Sequence, residues 1–319
     1  MNQSQLQNVT VLGAGVLGGQ IAFHSAYKGK QVVIFDISED SLQRCRAVHE
    51  QYVGQYQKDL GASAEEMTAT QQRLRYSNSL EEAVKDAQLV IEAVPEVPDI
   101  KISVYRDLAG KLPEATILAT NSSTLLPSDF AEYTGRPEQY AALHFANLIW
   151  INNVVEIMGH PGTSDDTYRA LVDFSIEIGM VPIPILKEQN AYVLNTWLWA
   201  MINVCLTLVR KGVATPEDID RTYMISNRGV AYGPFGIIDI IGMKTSYDIL
   251  NHWGKENQDE EMSANARYIK ENFLNKGLQG MLGGKGFYQY PEPEFSKPDF
   301  LAVPDKSVTG TIVGLLKKS

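Results

Sequence analysis

The chain is 319 residues long, which at roughly 100 to 200 residues per domain leaves room for two domains with cores of their own. It is 44% hydrophobic and 21% charged, an ordinary globular balance that excludes global disorder and collagen-like or low-complexity structure. A formal charge of -10 repels nucleic acid and anionic lipid on average, so neither is an expected partner; two distant cysteines, Cys45 and Cys205, suit a reducing compartment and fit neither a disulfide framework nor a zinc site.

The polar start, Met1 to Asn8, holds no Lys or Arg and does not read as a secretory or transit signal, so a cytoplasmic location is expected. Short apolar runs follow at Val9–Leu12, Gln31–Asp36, Leu89–Val94, Thr116–Thr120, Tyr140–Phe145, Val154–Met158 and Met180–Leu186. Longer polar or helical segments alternate with them, which is the pattern of strands joined by crossover helices in a parallel sheet. Pro182 and Pro184 make the last run an edge strand or the start of a linker. From Gln189 onward the pattern turns helical, so residues 1–188 are expected as a Rossmann-type doubly wound α/β domain and 189–319 as an all-α domain. Ala191 to Val209 carries no charge over nearly the length of a membrane span. Asn195, Thr196, Asn203 and Thr207 interrupt it, and a helix buried on all sides is the favoured reading. Thr215 and Pro216 then mark the start of a helix ending near Ser226, and further helices are expected near Thr245–Gly254 and Glu260–Asn275. The Pro- and charge-rich stretch from Pro291 to Lys306, followed by apolar Val308 to Leu316, suggests an arm docking on its own domain or on a partner subunit.

Gly13-Ala14-Gly15-Val16-Leu17-Gly18 sits between the first strand and a helix running toward Tyr27. In that context the first glycine permits the turn, the second lets backbone approach a pyrophosphate, and the third lets helix and sheet pack closely. The second strand ends at Asp36, whose carboxylate can accept hydrogen bonds from ribose hydroxyls and repel a 2′-phosphate. NAD is therefore expected rather than NADP, with FAD the other occupant considered.

Oxidising a secondary alcohol requires a base for the hydroxyl proton while a hydride leaves the carbon. Histidine is the side chain that ordinarily changes charge near neutral pH, and His144, at the end of a strand, suits that role; Glu156 on the next strand can hold its second nitrogen. The alternative is a hydrogen-bonded core histidine. Ser123 follows the strand ending at Thr120 and lies at the same sheet edge, where it could equally cap a turn.

These residues, with Ile91-Glu92-Ala93-Val94-Pro95-Glu96 and Lys101, Thr120-Asn121-Ser122-Ser123, Leu143 to Asn147, Asn195, Gly233-Pro234-Phe235 with Asp239 and Gly242, and Gly286 to Tyr290, resemble the 3-hydroxyacyl-CoA dehydrogenases over most of the chain. The resemblance implies NAD-linked oxidation of an L-3-hydroxyacyl-CoA in fatty acid metabolism, and a homodimer formed through the helical domain. It implies a substrate role for Ser123 and gives Asn147 and Asn195 the task of binding a substrate carbonyl or the histidine. Glu96 and Lys101 would sit near the nicotinamide ribose, with Asn121, Ser123 and Asn147 on the cofactor side. For Asn195 a helix-to-helix hydrogen bond stays open, and for Glu96 and Lys101 a solvated charge pair.

The chain departs from that family's pattern on the substrate side. Leu148 replaces a Pro, Asn190-Ala191 replaces Pro-Gly, Thr196 replaces an Arg, and Ala231-Tyr232 replaces Pro-Met. The helical excursion after the second strand, commonly lysine-rich, reads Gln55 to Gly61 with one lysine, leaving less to hold the phosphates of coenzyme A. Trp150, Trp197 and Trp199 add bulk near the expected pocket unless they are core residues. A dehydrogenase of free 3-hydroxy acids, of the L-carnitine or L-gulonate type, and a noncatalytic NAD-binding protein are the competing readings.

Overall fold

The computed structural model describes residues 6–298 and Phe300, and the chain divides into two compact units, the first ending at Thr196 and the second beginning at Trp197. The first unit runs β1 (Asn8–Leu12), α1 (Val16–Tyr27), β2 (Gln31–Phe35), α2 (Glu39–Leu60), α3 (Ala64–Gln72), β3 (Leu74–Ser77), α4 (Leu80–Val84), β4 (Leu89–Glu92), α5 (Pro98–Leu108), β5 (Ile117–Thr120), β6 (Tyr140–Phe145), β7 (Val154–Met158), α6 (Asp165–Glu177) and β8 (Val181–Pro184). The eight strands form one sheet in the order β3-β2-β1-β4-β5-β6-β7-β8. Its first six positions follow the doubly wound order, which reverses direction between β1 and β4.

Two features differ from the sequence expectation. The strand β3 was not foreseen, because Leu-Arg-Tyr-Ser is too short and too exposed at a sheet edge to show an apolar run. The sheet is also not wholly parallel: β6 and β7 pair antiparallel, and β8 is parallel to β7. The connection of residues 146–153 is too short for a crossover helix, so β7 returns beside β6 as in a hairpin. Met180–Leu186 shortens to Val181–Pro184 and lies at the edge, where a proline needs no ladder donor.

The core lies on both faces of the sheet. One cluster packs α1, α2 and α6 residues such as Ile21, Phe23, Tyr56, Leu171 and Phe174 against β1, β2, β6 and β7; the other packs Tyr105 and Leu108 of α5 against Leu12, Val90 and Leu118.

The second unit holds most of α7 (Leu194–Arg210), then α8 (Pro216–Ser226), α9 (Pro234–Ile241), α10 (Met243–Glu256) and α11 (Glu260–Asn272). Thr215 caps α8 by accepting from the N–H of Asp218, as its Thr-Pro start required. The helix α7 is not buried on all sides. Trp199, Ile202 and Leu206 form its buried stripe, whereas Trp197 and Val204 are 49% and 60% exposed. Among the described residues no helix is long and apolar enough to cross a membrane. At the start of the expected arm, Phe295 packs edge-on against Tyr288, and the Arg221 guanidinium lies 5.1 Å from the Phe300 ring. The arm's apolar part, Val308 to Leu316, lies outside the described residues.

Candidate active site

The loop between β1 and α1 is shaped by its glycines. Gly13 has φ +108°, and a Cβ there would lie 2.4 Å from the Ala93 carbonyl oxygen, so only glycine makes this turn. At Gly18 a Cβ would meet the Gly13 carbonyl at 2.1 Å, which lets α1 start against the loop. Gly15 differs: a Cβ would meet nothing within 4 Å, so its backbone borders open space. It is also the N-cap of α1, without a side-chain cap and without an acidic residue in the first turn. The N–H groups of that first turn, including Val16 and Leu17, are therefore left for an anion, and the helix dipole favours one. Asp36 accepts from Ala14 N–H and Ser38 N–H, both at 2.9 Å. Its carboxylate ties the loop to the end of β2 and keeps lone pairs for ribose hydroxyls. These residues fit a dinucleotide pyrophosphate and its adenosine ribose.

His144 and Glu156 are direct register partners across the antiparallel β6–β7 pair. His144 Nδ1 lies 2.9 Å from Glu156 Oε2, and the residues are 3% and 2% exposed. The other carboxylate oxygen accepts from the N–H groups of Val193 and Leu194, both at 2.9 Å, at the start of α7. A carboxylate on Nδ1 favours the tautomer protonated there and leaves Nε2 as the acceptor. Nε2 makes no hydrogen bond among the described residues. It is absent from the unpaired side-chain atoms sealed from solvent, namely Ser25 Oγ, Tyr192 OH and Ser246 Oγ, so it keeps a solvent-facing edge. One ring face is covered by Tyr192, stacked at 4.7 Å between centroids.

Beside this pair, Glu96 organises the loop after β5. Its Oε1 accepts from Ser122 Oγ (2.6 Å), Ser123 N–H (2.8 Å), Thr124 N–H (2.8 Å) and Thr124 Oγ1 (2.9 Å). Burial opposes ionisation of Glu96, but Lys101 and the Ser122 and Thr124 bonds outweigh it and hold the carboxyl below its usual range. Lys101 is buried and gives its ammonium to Glu92 at 2.8 and 3.1 Å and to Glu96 at 3.3 Å. Its pKa is raised because these two carboxylates outweigh its burial. This corrects the solvated-pair reading of Lys101, whose ammonium is enclosed by Glu92 and Glu96. Tyr105 and Thr120 complete the shell around Glu92.

The remaining site residues are arranged unevenly. Ser123 is half-buried, with its carbonyl accepting from Asn195 Nδ2 at 3.3 Å, so Asn195 meets a loop and not a second helix. Asn121 Oδ1 accepts from Phe145 N–H at 2.9 Å and so clamps the end of β6. Asn147 is exposed at the turn after the histidine strand. There Leu148 takes φ +57°, a value closed to the family's proline, and gives its N–H to Gln20 of α1 at 2.7 Å. Trp150 is no pocket wall: it is buried against Tyr52 and Tyr56 and donates its indole N–H to Asp59. Trp199 belongs to the core of the second unit. Sequence reasoning missed Gln20 and Tyr192. Gln20 left a faint signal as a polar residue inside an apolar helix start, and Tyr192 left none.

The 3-hydroxyacyl-CoA dehydrogenase NAD-binding domain is matched by residues 8–189, and that family's C-terminal domain by residues 192–290. The human mitochondrial hydroxyacyl-coenzyme A dehydrogenase is 32% identical over 295 residues, covering 89% of this chain and 91% of that protein. A probable 3-hydroxybutyryl-CoA dehydrogenase of Deinococcus radiodurans is 30% identical, with 88% and 99% covered. Among solved structures, a diketoreductase described for substrate-directed dual catalysis of dicarbonyl compounds matches with TM-score 0.79 and 44% identity, covering 90% of this chain and 100% of that one. The (S)-3-hydroxybutyryl-CoA dehydrogenase of Ralstonia eutropha matches with TM-score 0.75 and 28% identity over the same shares.

Proposed function

The chain belongs to the 3-hydroxyacyl-CoA dehydrogenase family, and from that premise we propose that it interconverts an L-3-hydroxyacyl-CoA and its 3-ketoacyl-CoA with His144 as base and Glu156 as its partner. The observation that carries this reading is the 2.9 Å contact between His144 Nδ1 and Glu156, with Nε2 left unpaired among the described residues. Gly15, Val16 and Leu17 would hold the pyrophosphate of NAD and Asp36 its adenosine ribose. NAD⁺, when bound, supplies the acceptor for the hydride that leaves the carbinol carbon. His144 takes the hydroxyl proton at Nε2 while its Nδ1–H stays with Glu156, which stabilises the imidazolium. Two backbone N–H groups, of Val193 and Leu194, donate to the other oxygen of Glu156 and hold its carboxyl group in place. Ser123 would hold the substrate hydroxyl, with Asn147 and Asn195 offering amides to a carbonyl. A homodimer and a cytoplasmic location belong to the same proposal.

A second reading is favoured by the 44% identity to a diketoreductase. A 3-ketoacyl thioester is itself a 1,3-dicarbonyl, and the same dyad would serve a smaller dicarbonyl without coenzyme A. The acidic chain and the single lysine of residues 55–61 support it. NADH consumption measured with acetoacetyl-CoA beside small 1,3-dicarbonyl esters and free 3-keto acids tests both. A higher kcat/KM for acetoacetyl-CoA supports the first reading, a higher value for the small compounds supports the second, and no oxidation with either class overturns both.

A further inference from the structure

Glu156 holds His144 at a single nitrogen, and a ring held at one atom can still turn about that bond. Tyr192 supplies a second constraint. Its ring lies on the imidazole with centroids 4.7 Å apart and planes 29° apart, and it is fully buried beside Ala142 and Met158. The chain reaches this position through two successive left-handed residues, Ala191 at φ +65° and Tyr192 at φ +54°, a conformation rare for residues with side chains. The same turn aims the N–H groups of Val193 and Leu194 at Glu156. Asn190 Nδ2 and Asn195 Nδ2 pin its two ends to the carbonyls of Thr124 and Ser123. Among the described residues the Tyr192 hydroxyl makes no hydrogen bond, and burial pushes its pKa well above the usual range, so it stays a neutral phenol without a proton to trade.

We propose that Tyr192 is a positioning residue whose ring, stacked on His144, fixes the imidazole plane so that Nε2 faces the substrate hydroxyl. The turn at residues 190–195 thus sets both members of the pair, the carboxylate through backbone and the imidazole through an aromatic face. This inference rests on His144 being the base.

The test uses the full chain with Tyr192→Phe, Tyr192→Leu and Tyr192→Met, together with His144→Gln. Tyr192→Phe keeps the ring and should stay within about twofold of the parent in kcat and KM. Tyr192→Leu should lower kcat by roughly 10- to 100-fold, the size of loss expected when a reacting group is misaligned, with substrate KM and NADH affinity changed less than about twofold. Should Tyr192→Leu not fold, Tyr192→Met fills the volume without a ring and is held to the same numbers. Unchanged kcat in the ringless variants, a rise in KM alone, or an equal loss in Tyr192→Phe would overturn the proposal. If His144→Gln stays active, the base assignment itself fails; if it is inactive while Tyr192→Leu is fully active, only the role of Tyr192 fails.

Discussion

Both units bury carboxylates at signature positions, and they complete them differently. In the first unit Glu156 gives one oxygen to two backbone N–H groups and the other to an imidazole whose far nitrogen is unpaired among the described residues. In the second unit Asp220 accepts from the N–H groups of Phe235 and Gly236 and from the Tyr288 hydroxyl, and Asp239 from the N–H groups of Phe287 and Tyr288 and from the Tyr290 hydroxyl. Glycines make room for these aspartates: a Cβ on Gly233 would lie 2.5 Å from Asp220 and one on Gly286 2.0 Å from Asp239. The Gly-Pro-Phe and Gly-Phe-Tyr motifs thereby form a structural lock around these two aspartates. Backbone N–H groups and tyrosine hydroxyls complete both aspartates, whereas Glu156 alone of these three carboxylates bonds an imidazole.

The comparison is broken most forcefully in the second unit. Asp220→Ala would leave two buried N–H groups and a phenol without acceptors, and about 3 kcal/mol or more of stability should go. Thermal unfolding of the full chain reads it, and an unchanged midpoint would remove Asp220 from the lock. The first unit has its own sealed polar groups. His24 of α1 and His49 of α2 are buried and bonded to the carbonyls of Ile178 and Gly19, and burial pushes both from 6.5 to about 4. The folded unit therefore binds fewer protons than the unfolded chain between those values. Stability present above pH 6.5 should be lost as pH falls toward 4, by up to about 3 kcal/mol per histidine. A scan of unfolding midpoints from pH 7.5 to 4.5 checks this, and His49→Gln should flatten the decline.

Smaller effects sharpen the distinction between holding a ligand and holding the fold. Asp36→Ser should shift cofactor preference toward NADPH by roughly tenfold, about 1.4 kcal/mol, since the carboxylate that repels a 2′-phosphate is gone; an unchanged ratio of kcat/KM values would refute it. Ala191→Gly should raise stability by about 1 kcal/mol, because an alanine held left-handed is strained and a glycine is not. A lowered unfolding midpoint would contradict the strain at this turn.

Much of this arrangement was legible in the chain, for reasons that differ by residue. The β6 and β7 runs fell on the observed bounds, and Asp36 stood at the expected distance from the glycine loop. The antiparallel return of β7 was hidden because an apolar run has no direction; only the short connection after Phe145 hinted at it. The start of α7 at Leu194, three residues beyond Ala191, was hidden because no glycine marks the left-handed turn. The burial of Lys101 was hidden because lysine is rarely buried, although both of its carboxylate partners, Glu92 and Glu96, lie just before it in the β4–α5 stretch.

The central claim, that the imidazole of the first unit is the proton acceptor, is tested most directly by His144→Gln assayed on the best substrate of the panel alongside NADH binding by fluorescence. Turnover should fall about 10²- to 10⁴-fold while NADH affinity stays within about twofold. Turnover equal to the parent would contradict it.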